Sequence, residues 1–259
     1  MEEILNNISL ELGLQIALGI VGLLICAMGL VSLTVSVWLA IKYYKFNRKP
    51  NSAGLTGEAA ARKILDDHDL QHIKVKTTGS ILFGNSYSHY FKKVRLRRMT
   101  RHKTSLTSLG MGAQKACLAI LDKEGDPDMK KRVRLYPIIT FGPFMFIPLV
   151  LIGALLDYFV FSQNGLCVYV LGGIGLMFYI YSVVLSVMTL KTEKKAQDRA
   201  YSVLQRSNMA TAEELADLKK LFHLYNVQYI NDIILACLEL LYTLLQIALA
   251  FSKGDVNTD

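Results

Sequence analysis

Two histidines four residues apart with an acid between them, His68-Asp-Leu-Gln-His72, are the first residues in this 259-residue chain whose spacing suggests chemistry. On one helical face, two imidazoles can grip a zinc ion while an acid activates the bound water. The pair sits where a helix ends, at Asp66–Asp67, and a strand begins, so the two rings need not share a face. The plainer reading is a solvated helix end, where histidine suits the dipole. His89, His102 and His223 are isolated. The four cysteines (Cys26, Cys117, Cys167, Cys237) show no CxxC and no metal-ligand spacing, and are expected to be small buried residues.

A second chemical feature is the run Lys92-Lys-Val-Arg-Leu-Arg-Arg98, with Arg101 and Lys103 after it and Tyr87, Tyr90 and Phe91 before it. Lys92, Lys93, Arg95, Arg97, Arg98 and Arg101 would form a basic surface patch. Anionic lipid headgroups would attract it by on the order of 1 kcal/mol for each base close to the surface. No RNA or DNA module accompanies the run, which argues against nucleic acid. The plainest reading is a topology signal next to a surface strand.

Hydrophobic residues make up 52% and charged residues 19%, yet the net charge is +8. Residues 42–134 hold 21 Lys/Arg against 8 Asp/Glu, a local net of +13, so the rest of the chain sums to −5. The 30 residues 12–41 and the 33 residues 158–190 contain no charge. Both runs exceed the roughly 20 apolar residues that cross a bilayer as a helix. Soluble, secreted and disordered classes are excluded.

The first span is read at 12–41. Its start is acidic (Glu2, Glu3, Glu11) and its basic cluster (Lys42, Lys45, Arg48, Lys49) follows it, unlike a cleaved signal peptide. A transmembrane hairpin is read at 137–190, its spans joined by an outer turn at Ser162–Gly165. Pro143 and Pro148 are expected to kink its first arm, and Asp157 near that arm's outer end is expected to be structural. Basic flanks at Lys130–Arg134 and Lys191–Lys195 agree with the first, which places the N-terminus outside and the main soluble part in the cytoplasm. Residues 233–251, which include Glu239, are read as a fourth transmembrane or an interfacial helix. The three clear spans carry no central ionisable residue, which argues against an ion or proton pathway.

The insert 42–134 is read as a basic α+β cytoplasmic domain. Thr56 caps a helix with Ala60 and Ile64 on its apolar side, and Ile73–Thr77 and Val94–Leu96 read as strands. Gly79, Gly84, Asn85 and Ser86 mark a turn-rich stretch between them. A helix follows at 104–121, with Leu106, Leu109, Ala113, Cys117 and Ile120 on one stripe. Residues 191–232 read as cytoplasmic helices, the second opened by the capping box Thr211-Ala-Glu-Glu214.

This order of elements resembles the YugP-like neutral zinc metallopeptidases, bacterial membrane proteins, over nearly all the chain beyond the first span. The residues that carry the resemblance are Gly54-Leu-Thr-Gly57, Ile64-Leu-Asp-Asp67, Lys74-Val-Lys76, Tyr90, Val94-Arg-Leu96, a membrane hairpin with a Glu just after it, and a Glu-Glu-Leu helix. It implies an all-α integral membrane protein with a small α+β insert, a zincin-like membrane peptidase scaffold, and a place in a bacterial plasma membrane.

In that family the central helix carries His-Glu-x-x-His, and a later Glu is the third zinc ligand. Matching Ser105-Leu-Thr-Ser-Leu-Gly110 to the family's helix start puts the motif on Gln114-Lys-Ala-Cys-Leu118. Gln114 and Leu118 then stand where the histidines belong, Lys115 stands where the general base belongs, and Glu193 keeps the third position. The resemblance therefore implies a degenerate zinc site with no catalytic or metal-ligating residue and no cofactor, in a non-catalytic relative that binds or regulates another membrane protein. An active metallopeptidase with divergent ligands is one alternative, and a basic scaffold holding anionic lipid or a protein partner is another. Glu193 reads either as a solvated acid beside Lys194 and Lys195, or as the partner of Lys115 in a charge pair that replaces the metal.

Overall fold

Lipid offers the backbone no hydrogen bonds, so charge-free apolar runs of this length become helices. The computed structural model describes residues 2–78, 84–160 and 165–256, and the side chains within them except at 2–8, 137–143, 251 and 253–256. Among the described residues the helices are α1 (Glu2–Arg48), α2 (Gly57–Asp66), α3 (Arg98–His102), α4 (Leu106–Glu124), α5 (Pro127–Phe159), α6 (Leu166–Arg206) and α7 (Ala212–Val256). The strands are β1 (Lys74–Thr77), β2 (Ser86–Ser88) and β3 (Lys93–Leu96). Most of the turn read at Ser162–Gly165, and Gly79 of the turn-rich stretch, lie outside the described residues.

The chain divides into two compact units. The first holds Met1–Val35, Ile138–Val184 and Gln228–Asp259, the apolar parts of α1, α5, α6 and α7. Three helical segments, Ser9–Arg48, Leu166–Arg206 and Ala212–Ala250, are long and apolar enough to cross a membrane. On α5 the described apolar stretch is Phe144–Phe159; of the rest of that expected span, Val160 lies just past the helix end, and residues 137–143 and 161 fall outside the described side chains. Large apolar side chains point away from the protein, as Leu23 at 72% exposure and Phe144 at 73% show. So continuous an exposed apolar surface suits hydrocarbon and not water. Cys26 and Cys237 share it: both are exposed, contrary to the expectation of burial, because each lies on an outward helix face where a small apolar side chain meets lipid as easily as protein.

Within this unit α5 and α6 pack closely. A Cβ on Gly153 would come within 2.7 Å of the Cys167 carbonyl oxygen, and one on Gly175 within 2.9 Å of the Phe146 Cα. Asp157, 5% exposed, accepts the backbone N–H groups of Cys167 at 3.1 Å and Val168 at 2.9 Å. It caps α6 from the neighbouring helix, where a carboxylate also suits the positive end of the helix dipole.

The second unit holds Ser36–Pro137 and Leu185–Val227, so the insert and the helices after the hairpin fold together. At its centre lies α4, in which every residue from Leu106 to Leu121 is buried. Ser105 caps α4 by accepting the Ser108 N–H at 3.1 Å, and Gly125 ends it at φ +73°, a left-handed conformation suited to glycine. Thr56 caps α2 by accepting the Ala59 N–H at 3.1 Å. The two helices touch through glycine: a Cβ on Gly112 would collide with the Gly57 carbonyl oxygen.

The sheet has order β1-β3-β2. β1 runs parallel to β3 with Val75 opposite Val94, and β2 runs antiparallel to β3 with Tyr87 opposite Val94. β2 corrects the sequence reading, in which Ser86 belonged to a turn. Ser-Tyr-Ser is too short and polar to alternate visibly, and pairing with β3 is what makes it a strand.

Helix limits also differ from the reading. α5 starts at Pro127 with Asp126 Oδ1 accepting the N–H groups of Asp128 and Met129, both at 3.0 Å, so the basic flank 130–134 is helical. α7 runs unbroken through the boundary read at 232/233, because residues 213–256 hold one Gly near the end and no Pro to stop it. The capping box at its start closes in both directions: Glu214 accepts the Thr211 N–H at 2.8 Å, and Thr211 Oγ1 accepts the Glu214 N–H at 3.3 Å.

Candidate functional site

A lysine in a helix buried on all sides must find an anion, because an unpaired ammonium in an apolar core is prohibitively costly. Lys115 of α4 finds Glu193 of α6, Nζ to Oε2 at 2.7 Å, with the two side chains 7% and 3% exposed. Gln114 Nε2 donates to the same oxygen at 2.9 Å. Arg132 of α5 donates from Nη2 to the other oxygen, Oε1, at 2.9 Å, and from Nη1 to Thr192 Oγ1 at 2.7 Å. One carboxylate thus receives an amide, an ammonium and a guanidinium, and both its oxygens are engaged.

Local sequence explains each placement. Gln114 and Lys115 are adjacent on α4, whose whole circumference is covered. Thr192, Glu193, Ala196, Gln197 and Ala200 recur at helical spacing on the buried face of α6. Ion pairs from Lys195 to Asp126 and Asp128, both at 2.7 Å, and from Arg199 to Glu124 at 2.6 Å, fix α6 against the α4–α5 corner. Leu118, one turn beyond Gln114, is 1% exposed and packs in the core.

Burial alone would raise the Glu193 carboxyl. The charges of Lys115 and Arg132, then their hydrogen bonds, override it and hold the group well below the usual carboxylate range. A carboxylate held this way is a poor proton shuttle near neutral pH. Cys117, two residues beyond Lys115 on α4, is pushed up to about 12 by burial, so its thiol stays protonated and inert. The cluster holds two cations and one anion, with no general base.

Beyond Gln197 a groove of about 390 Å³ opens between α6 and α7. Gln197, one turn from Glu193, forms its floor through a reciprocal amide pair with Asn226 at 3.1 and 2.8 Å. Tyr201 and Phe222 supply aromatic walls, with Asp198, Lys219 and His223 at the rim.

The other residues singled out from sequence go elsewhere. His68 Nδ1 bonds the Ile64 carbonyl oxygen at 2.9 Å and so helps to close α2, while His72 is exposed and takes no part in that bond. His89 Nδ1 and the Tyr87 hydroxyl both reach Asp122 Oδ2 at 2.6 Å, pinning β2 to α4. In the basic run, Lys93 and Arg95 lie over the Phe91 ring at 5.7 and 5.4 Å from its centroid. Arg101 departs from the expected surface patch: it forms a two-pronged pair with Glu58 at 2.6 and 2.8 Å and bonds Thr77, joining α3 to α2 and β1. Lys92, Arg97 and Arg98 remain exposed.

Arg132 is the member of the cluster that sequence reasoning passed over, counted only as a basic flank. Its signal was faint: the extension of α5 back to Pro127 turns a flanking residue into one that can reach the core. Ser52, whose N–H and hydroxyl both bond Glu214 at 2.7 and 2.6 Å and so tie the linker to α7, carried no signal at all.

The sequence matches the family described as "Putative neutral zinc metallopeptidase" over residues 21–248. It is 23% identical over 229 residues to the "Putative membrane protease YugP" of Bacillus subtilis (strain 168), covering 87% of this chain and 95% of that protein. No solved structure matches. Zinc does not fit the residues around Glu193. Its two oxygens already bind cationic or amide donors, Leu118 has no donor atom, and an ammonium at 2.7 Å repels a dication. Among the described residues no three His, Cys, Asp or Glu converge as metal ligands.

Proposed function

The chain belongs to the neutral zinc metallopeptidase family, and from that premise we propose that it is a non-catalytic member, a membrane-embedded relative on a zincin-like scaffold that binds or regulates another membrane protein. The observation that carries this reading is the Lys115–Glu193 pair at 2.7 Å. The family's motif, laid on α4, puts Gln114, Lys115 and Leu118 where two ligands and the base belong. Glu193, at the third ligand's position, holds an ammonium in place of the ion. The positive charge that zinc would supply is carried by Lys115 and Arg132, which stabilises the scaffold but supplies neither a Lewis acid nor an activated water.

The groove from Gln197 to Asn226 supports binding without cleavage. It has aromatic walls, charges of both signs at its rim and amides in its floor, chemistry suited to a polypeptide segment. The basic flanks of the apolar runs support an orientation with the N-terminus outside and the basic insert in the cytoplasm of a bacterial plasma membrane. A reporter fused near residue 125 and read from inside the cell tests that placement.

Metal analysis of the purified full chain after washing with a weak chelator tests the central claim. Zinc far below one ion per chain, with no cleavage of an unstructured polypeptide such as casein, is the expected result. One zinc per chain retained through the wash overturns it.

A further inference from the structure

Along α1 the exposed residues Val37, Ala40, Ile41, Tyr44, Lys45 and Arg48 form a single stripe, at the 3- and 4-residue spacing of one helical face. They line a concave surface of about 750 Å³. Its character changes along the helix axis. Val37 and Ile41, 51% and 58% exposed, are aliphatic; Tyr44, 55% exposed and held edge-on by Tyr43, follows; then come Lys45 and Arg48. At about 1.5 Å per residue the stripe rises roughly 16 Å, from acyl-chain depth past the glycerol level to the headgroups. Lys45 and Arg48 make no ion pair or hydrogen bond among the described residues. Lys49, just beyond the end of α1, is taken by Glu213 and Asp217 at 2.7 and 3.1 Å.

We propose that this face of α1 is a binding site for one anionic phospholipid, with Lys45 and Arg48 gripping the phosphate-bearing headgroup and Val37, Ala40 and Ile41 seating an acyl chain. The occupant follows from the order of the lining. A protein helix would meet two uncompensated cations at one end, and a soluble anion would gain nothing from the aliphatic end. An anionic lipid satisfies both. The site is separate from the Glu193 cluster and does not depend on whether that cluster binds metal.

The chain carries its own reporter, because its one tryptophan, Trp38, is 53% exposed and stands three residues before Ile41 and seven before Lys45. The experiment measures quenching of Trp38 fluorescence in nanodiscs of zwitterionic lipid doped with phosphatidylglycerol or phosphatidylcholine bearing brominated acyl chains. Two bases near the surface should give phosphatidylglycerol an advantage of about ten- to thirty-fold in half-quenching concentration. The Lys45→Gln/Arg48→Gln double variant should lose that advantage while quenching by phosphatidylcholine stays as in the parent, which also shows that the variant is folded. Lys45→Arg with Arg48→Lys should restore it. Equal quenching by the two lipids in the parent, or a preference that survives the Gln substitutions, overturns the proposal. Loss of the preference in millimolar inorganic phosphate at constant ionic strength also overturns it, since the phosphate group alone would then account for recognition.

Discussion

Lys115 and Glu193, 78 residues apart in sequence, meet at 2.7 Å inside a core where almost no water reaches either. The pair is unequal in its support. Glu193 has three donors, while Lys115 has Glu193 as its charged partner. Removing the carboxylate strands two cations, whereas removing the ammonium leaves Arg132 and Gln114 still holding both oxygens. Glu193→Gln is therefore expected to destabilise the chain by about 3–5 kcal/mol, and Lys115→Met by about 1–3 kcal/mol. Thermal unfolding in detergent, followed by the reactivity of buried Cys117 in a background without the other three cysteines, measures both. Equal losses would contradict the inequality.

Acid should act through the same group. Its carboxyl is held below its ordinary value of 4.5 in the folded chain, so the unfolded chain takes up the proton first. The stability contributed is complete above the unfolded value and drains away as pH falls through the depressed folded value. Between about pH 3 and pH 7 the Tm of the parent should fall on the acid side more steeply than that of Glu193→Gln. Parallel profiles would show that Glu193 is not held as an anion.

If the cluster occupies a former zinc site, rebuilding the motif should rebuild the site. The triple variant Gln114→His, Lys115→Glu, Leu118→His places two imidazoles four residues apart on α4, facing the carboxylate already supplied by α6. It should retain about one zinc per chain through a weak-chelator wash, with the parent retaining almost none. A folded triple variant that takes up no zinc would mean that the motif lies elsewhere on the helix.

Gly112 tests the packing that presents the cluster. A methyl group there meets the Gly57 carbonyl oxygen, which is backbone and has no rotamer to escape into. Gly112→Ala should cost about 1–3 kcal/mol even though alanine favours helices. Gly173, where an added Cβ meets nothing within 4 Å, is the control, and Gly173→Ala should be close to neutral.

Asp157 tests the hairpin. Asp157→Ala leaves two N–H groups at the start of α6 without their acceptor and should cost about 1–2 kcal/mol. Asp157→Asn keeps an acceptor oxygen and should cost less. Limited proteolysis of the chain in nanodiscs ranks the two, and equal cleavage of all three proteins would remove the capping role.

Features that depend on neighbours in the chain are legible in the sequence. The caps at Thr56 and Thr211 bond groups three residues away, and the α4 stripe needs only helical periodicity. Features that depend on distant partners are not. β2 exists because β3 lies beside it, Asp157 caps a helix that begins nine residues later, and Arg101 leaves the basic patch because Glu58, 43 residues before it, draws it in. The exposure of Cys26 and Cys237 depends on which helix face meets a neighbour, which hydrophobic periodicity cannot reveal in a helix apolar on all sides.

By itself the sequence determined that the chain needs a bilayer, because two charge-free runs of 30 and 33 residues have no other stable environment. Its family resemblance located Gln114, Lys115, Leu118 and Glu193. Only the tertiary structure decided what Glu193 does. Beside Lys194 and Lys195 it could have been one more solvated acid, but α6 turns it into the core, and α4 and α5 bring one cation each to meet it. A buried carboxylate must be satisfied by whatever the fold places within about 3 Å, and that choice is made by helix packing and not by the residues on either side.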